Sequence, residues 1–204
     1  MLFLHDSWLD RACHEHPFRW LSTAPGELCS LELAEALSKT FPMDGFVRID
    51  KGERTDGKKY RNHSLPYTDA TSLGLPAPWP EFIADLSSAG YRSGMARLLG
   101  QPIAARLEMR FVRHGPGDWL APHVDGEDKL FSHVVHLSPE WRDEWGGHLE
   151  ILDGDSYAVV ASVVPDLGAS VILNREPNSW HQVAKVSPVS PETRLTFLIH
   201  GLGE

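Results

Sequence analysis

His123 and Asp125 form a His-x-Asp pair, and far downstream come His181 and then Arg194. Side chains two apart on an extended segment share one face, so the first two can converge on one ion while a later strand supplies the second nitrogen. Two neutral imidazoles and a carboxylate can occupy one face of a ferrous ion and leave its other positions open to reactants. The same donors could hold Mn(II), Co(II) or Zn(II), because affinity discriminates poorly among these metals. Taken alone, the pattern fits equally well a surface His-Asp pair with His181 as an ordinary strand residue. Arg194 shifts that balance. A co-substrate that chelates iron through a 2-oxo acid group needs a cation for its far carboxylate, and a planar guanidinium bonds a carboxylate bidentately. Thr196, on the same strand face, could add a hydroxyl donor.

The elements that must position these groups read as a helical, loop-rich first half and a β-rich second half. Residues 30–41 place Leu31, Ala34, Leu37 and Phe41 on one helical stripe that stops before Pro42. A second helical stretch opens at Pro80 with Phe82, Ile83 and Leu86 on one face; it should break at Gly90 and Gly94 and end at Gly100. Between the two, residues 44–80 are rich in Gly, Pro and charge (Lys51, Arg54, Asp56, Lys58, Lys59, Arg61), as in a solvated loop or a lid over an active site. From Ala104 the period becomes two. Leu107, Met109 and Phe111 alternate with Glu108 and Arg110, and His114 to Asp118 is a turn. Further strands are expected near 130–137, 148–152, 157–163, 169–173, 180–186 and 194–200, with turn chemistry at Gly146-Gly147, Asp153-Gly154, Pro165, Pro177 and Pro188. Many short strands predict a mainly β jelly roll with N-terminal helices on one outer face. The chain is long enough for a single domain, with 1–103 as support and 104–204 as the core that carries the metal site.

Charge and composition exclude several roles. A formal net charge of −9 argues against a nucleic-acid binder held by phosphate contacts. Cys13 and Cys29 make neither a disulfide framework nor a zinc pattern, which points to the cytoplasm. No apolar run is long enough to span a membrane, and an N-terminus with Asp6, Asp10 and Arg11 does not read as a signal peptide. The expected partner is therefore a substrate, with no nucleic acid, no membrane and the oligomeric state open.

Longer motifs extend the metal pattern. Gly115-Pro116-Gly117-Asp118-Trp119-Leu120-Ala121-Pro122-His123-Val124-Asp125 is followed by Leu137-Ser138-Pro139-Glu140-Trp141 and Gly146-Gly147-His148-Leu149. Val164-Pro165, Ser179-Trp180-His181-Gln182-Val183 and Arg194-Leu195-Thr196 through His200-Gly201 come next. In this order the chain from Arg110 onward resembles the Fe(II)/2-oxoglutarate dioxygenases of the prolyl-hydroxylase-like branch, in the pattern of the ribosomal-protein prolyl hydroxylases. The resemblance implies a double-stranded β-helix of the jelly-roll or cupin type. It implies iron on His123, Asp125 and His181, 2-oxoglutarate on Arg194, O2 as co-substrate and ascorbate as a supporting reductant. The reaction implied is hydroxylation of an unactivated C–H in a prolyl residue or a small amino-acid-like molecule, with release of succinate and CO2.

The pattern departs from the family at two places. Where many relatives carry a tyrosine that helps bind 2-oxoglutarate, this chain has His114 before the turn and Val135-His136 on a later strand. His114 is a candidate donor or a structural histidine, and His136 and His148 read as packed or supporting residues. His5, His14, His16, His63 and His200 lack ligand spacing. Arg110, Trp119, Trp145, Asn174 and Arg175 are candidates for the substrate mouth, with a core role open for both tryptophans. Positive side chains in the 44–80 stretch would suit an anionic substrate. Two other readings stand beside the hydroxylase: a cupin-type metal enzyme that does not use 2-oxoglutarate, and a non-catalytic metal-binding jelly-roll module.

Overall fold

The computed structural model describes residues 3–51, 59–103 and 106–203. The strict alternation seen in the second half of the sequence builds the centre of the sheet. In β4 (Leu107–His114), Met109 and Phe111 face outward to the helices while Arg110, Val112 and His114 line an inner cavity. In β11 (Arg194–Leu202), Leu195, Phe197 and Ile199 face the helices while Arg194, Thr196, Leu198 and His200 line the cavity. The same rule places Phe131 and Val135 of β6 (Lys129–His136) outward and Ser132 and Val134 inward.

The remaining strands are β1 (Trp20–Thr23), β2 (Val47–Asp50), β3 (Tyr60–Pro66), β5 (Trp119–His123), β7 (Leu149–Leu152), β8 (Val159–Val163), β9 (Ser170–Asn174) and β10 (His181–Val183). They pair in the order β1-β9-β6-β11-β4-β3-β5-β10-β7-β8, with β2 on β3. Because β3 pairs with both β4 and β5, the sheet turns on itself and encloses the cavity between its two halves. This is the expected jelly roll.

The helices are α1 (Leu31–Lys39), α2 (Asp69–Ser72), α3 (Trp79–Leu86) and α4 (Ala89–Leu99). Ser30 caps α1 by accepting from Leu33 N–H at 3.2 Å. The helical layer buries Leu33, Ala34, Leu37, Phe82, Leu86 and Met95 against the outer sheet face. Trp79 meets Phe111 with centroids 4.7 Å apart, and Phe111 meets Phe197 at 4.9 Å, so aromatic edges seal the layers together.

Three expectations need correction. The second helical stretch breaks between Ser87 and Ser88, not at Gly90 or Gly94, and Gly100 then ends α4 in the left-handed region. Gly94 stays inside α4 because a Cβ there would lie 2.4 Å from Leu9 Cδ1; the glycine is an approach point between segments. Residues 44–80 are not one loop: they hold β2, β3 and α2, and β3 is part of the cavity wall. Of the charges noted in that stretch, Arg54, Asp56 and Lys58 lie outside the described residues. Finally, β1 lies in the half expected to hold only helices and loops, where it pairs with β9 at one end of the sheet.

Candidate metal and co-substrate site

The turn that ends β4 sets up the first metal donor. Asp118 Oδ2 accepts from Gly115 N–H at 2.9 Å, and Gly117 takes φ +83°, so the chain reverses directly into β5. His123 ends β5 and is paired in antiparallel register with His181, the first residue of β10. Their ring centroids are 4.2 Å apart. Asp125 follows two residues after His123 and completes a group whose ligand atoms lie within 4.8 Å of one another. Asp125 Oδ1 is 3.5 Å from His123 Nε2, and Oδ2 is 3.8 Å from His181 Nε2.

The chemistry of this donor set fits a divalent metal. Nδ1 of His123 lies 2.9 Å from Ala121 O, and Nδ1 of His181 lies 2.9 Å from Ser179 O. Carbonyl oxygens only accept, so both rings carry their hydrogen on Nδ1 and turn an Nε2 lone pair toward Asp125. Backbone carbonyls that fix the tautomer in this way are the usual support of metal-binding histidines.

A cavity of about 270 Å³ extends from these donors into the roll. At its closed end lies Arg194, 1% exposed. Its Nη1 is 3.5 Å from His114 Nδ1, whereas Nε and Nη2 are buried with no hydrogen-bond partner. Burial holds this guanidinium well below its ordinary pKa, and among the described residues no carboxylate pairs with it. Thr196 also lines the cavity, and its hydroxyl donates to Val112 O at 3.3 Å.

The sequence reading missed the residues that complete this polar floor. Asn62 and Ser64 project from β3 into the cavity, and Asn62 Oδ1 and Ser64 Oγ are buried without partners. Sheet register puts Ser64 opposite Val112, Val112 opposite Thr196, and Thr196 opposite His136. His136 is fully buried, both its ring nitrogens lack partners, and burial with the nearby Arg194 charge pushes its pKa far down. Val112, Val134, Leu173 and Leu198 supply apolar lining to the same cavity. At the open end stand Tyr60, Arg110 and Lys129. Burial lowers the pKa of Arg110, and nearby Tyr60 and Asp125 oppose that shift.

The substrate candidates separate clearly. Arg110 lines the cavity and pairs with Glu108. Arg175 reaches the backbone oxygen of Asp125 at 3.4 Å but is not part of the lining. Asn174 faces Gln101 and Glu176 instead, at 2.6 and 2.9 Å. Trp119 lies outside the cavity, where its neighbour Leu120 takes the inward place. Trp145 also lies outside, packed edge-on to Trp141 with Arg142 over its ring. Neither tryptophan is part of the cavity lining. His148 is likewise remote, near Ser162 and Asp143.

Comparison with known proteins places this geometry in context. Residues 109–199 match the sequence model of the 2OG-Fe(II) oxygenase superfamily. Prolyl 3-hydroxylase OGFOD1 of Mus musculus is 27% identical over 108 residues, which are 50% of this chain and 19% of that protein. Its Xenopus laevis counterpart is also 27% identical, over 47% of this chain and 20% of its own length; the chain thus aligns with about a fifth of each curated relative. Among solved structures, a Pseudomonas putida prolyl-4-hydroxylase superposes with a TM-score of 0.70 at 16% identity, covering 91% of this chain and 92% of its own. A Trichoplax adhaerens prolyl hydroxylase, solved with a hypoxia-inducible-factor peptide fragment, gives 0.63 at 13% identity, covering 90% and 83%. At such identities the likeness is one of fold.

Proposed function

We propose that this chain, whose residues 109–199 match the sequence model of the 2OG-Fe(II) oxygenase superfamily, is a 2-oxoglutarate-dependent oxygenase that hydroxylates an unactivated C–H of a prolyl residue. The observation that carries the reading is a buried guanidinium with two partnerless nitrogens in the cavity that also holds three metal-donor atoms. His123, Asp125 and His181 would hold iron. With 2-oxoglutarate and O2, ferrous iron supplies the oxidising chemistry, and succinate and CO2 are released.

The chain's own residues bind and orient. Nδ1–H bonds to backbone carbonyls lock both imidazoles in the metal-binding tautomer. Arg194 offers two donors to the far carboxylate of a diacid; Asn62, Ser64 and Thr196 line the same cavity, and His136 stands opposite Thr196 in the sheet register. Val112, Val134, Leu173 and Leu198 give the cavity an apolar lining that would exclude water from a bound co-substrate. Arg110 and Lys129 at the open end suit a peptide or amino-acid-like substrate bearing an anionic group. A prolyl substrate is favoured by the names of the relatives. A reducing, cytoplasmic setting agrees with Cys13 and Cys29 being free thiols.

Anaerobic addition of Fe(II) and 2-oxoglutarate tests the reading, with a weak visible metal-to-ligand charge-transfer band as the expected result. A cupin-type enzyme that does not use 2-oxoglutarate would bind metal without that band. A non-catalytic module would show no oxygen-dependent decay of the band and no succinate release with prolyl peptides. Asp125→Ala should abolish both the band and turnover, and hydroxylation that survives in this variant would refute the assignment.

A further inference from the structure

Ser132 stands behind the metal-donor cluster. Its hydroxyl lies 2.6 Å from Asp125 Oδ2 and 2.7 Å from His200 Nδ1, and all three side chains are buried. Ser132 and His200 are cross-strand neighbours on β6 and β11, so two central strands fix them. Asp125 lies just beyond the end of β5 and takes no place in a ladder. The bond directions follow from counting hydrogens. A carboxylate that binds a cation is ionised and only accepts, so the single hydroxyl hydrogen of Ser132 goes to Asp125 Oδ2. The Ser132 oxygen is then the acceptor in its other bond, and Nδ1 of His200 carries the hydrogen between them.

We propose that Ser132 and His200 are positioning residues that hold Asp125 as a one-oxygen metal ligand. The inference rests on the metal-binding half of the function given above and is independent of the co-substrate. A carboxylate free to swing about its last torsion can close on an ion with both oxygens. That would take one of the positions which a chelating 2-oxo acid and O2 require. A short bond from a neutral hydroxyl to an ionised carboxylate is among the stronger hydrogen bonds, and here it engages Oδ2 and leaves Oδ1 beside His123. His200 acts through Ser132: by donating to the hydroxyl oxygen, it leaves the hydroxyl hydrogen directed at Asp125. The spacing of His200 in the sequence gives no sign of this role, which arises only from the β6–β11 register.

Titration of the metal-free protein with Mn(II), read from the electron paramagnetic resonance of the free ion and without 2-oxoglutarate, tests the chain directly. Ser132→Ala should weaken Mn(II) binding about 10- to 100-fold, the usual effect of removing a group that orients a metal ligand. His200→Leu should lose a similar factor. His200→Asn, whose amide can donate from near the Nδ1 position, should recover most of the affinity, a rescue that a purely packing role does not predict. The double variant Ser132→Ala/His200→Leu should bind no more weakly than the worse single variant, because the two act as one chain. Parent-like Mn(II) affinity in folded Ser132→Ala would overturn the inference, as would equal affinities for His200→Leu and His200→Asn. If Ser132→Ala does not fold, the two His200 variants decide the matter alone. Weakened Mn(II) binding in the variants, combined with no 2-oxoglutarate turnover in the parent, would sustain the inference while removing the oxygenase reading.

Discussion

A guanidinium without an anion beside it is costly to bury, and Arg194 is enclosed on every side. Its two partnerless nitrogens make a complementary ligand easy to specify: a carboxylate that accepts two parallel bonds. Arg194→Ala should therefore raise the 2-oxoglutarate concentration for half-maximal succinate release by about 100-fold or more, since two charged bonds at about 1.5–3 kcal/mol each are lost. Arg194→Lys should fall between parent and alanine, since a lysine keeps the charge but not the fork. Equal half-maximal concentrations for all three proteins would remove the co-substrate role. Arg194 and the three metal donors stand out in the sequence because their spacing, and the motifs around them, form a recognisable pattern. Asn62, Ser64, Ser132 and His200 do not stand out. A serine or asparagine signals nothing until strand register brings it to a buried wall, and Trp119 and Trp145 were ambiguous for the opposite reason, because aromatic residues pack as readily as they bind.

At the scale of elements, β4, β6 and β11 are legible because each has an apolar face toward the helices, and period two follows directly. The β3 segment, Tyr60-Arg61-Asn62-His63-Ser64, has no such face. Its inward residues are the polar groups of the cavity, so the strand carries the composition of a loop and reads as part of a lid. Turns show a related separation between pattern and purpose. Gly147 has φ +68°, and a Cβ there would meet Trp141 Cζ2 and Val186 Cγ2 at 3.1 Å and Arg194 Cδ at 3.3 Å. Gly117 has φ +83° with nothing within 4 Å of the same position. Both substitutions to alanine carry backbone strain of about 1–3 kcal/mol, seen as a lowered Tm. Only Gly147→Ala presses on the stem of Arg194, so it alone should also weaken 2-oxoglutarate binding. A parent-like affinity in Gly147→Ala would show that Arg194 tolerates displacement.

Across the whole molecule, one buried polar chain joins the helical layer to the sheet. Tyr91 of α4 bonds His133 Nδ1 at 2.8 Å, His133 Nε2 meets Ser170 of β9 at 3.0 Å, and Ser170 meets Thr23 of β1 at 2.8 Å. Burial pushes the His133 pKa down to about 3, and His136, two residues along the same strand, is also held far below its usual value. Both rings stay neutral in the folded state at a pH where the unfolded chain takes up protons. Their contribution is thus complete above about pH 6.5, the ordinary histidine value, and diminishes as the pH falls toward the folded-state values. Each ring should remove about 1.4 kcal/mol of stability per pH unit below about pH 6. Denaturant unfolding of the metal-free protein between pH 7 and pH 4.5 measures that slope. His133→Gln should lower the stability at pH 7, because a well-formed chain of bonds is lost, yet reduce the steepness of the acid decline by about one proton. An unchanged slope in this variant would mean that His133 is already charged in the fold, with both ring nitrogens donating, one to the Tyr91 hydroxyl and one to the Ser170 hydroxyl.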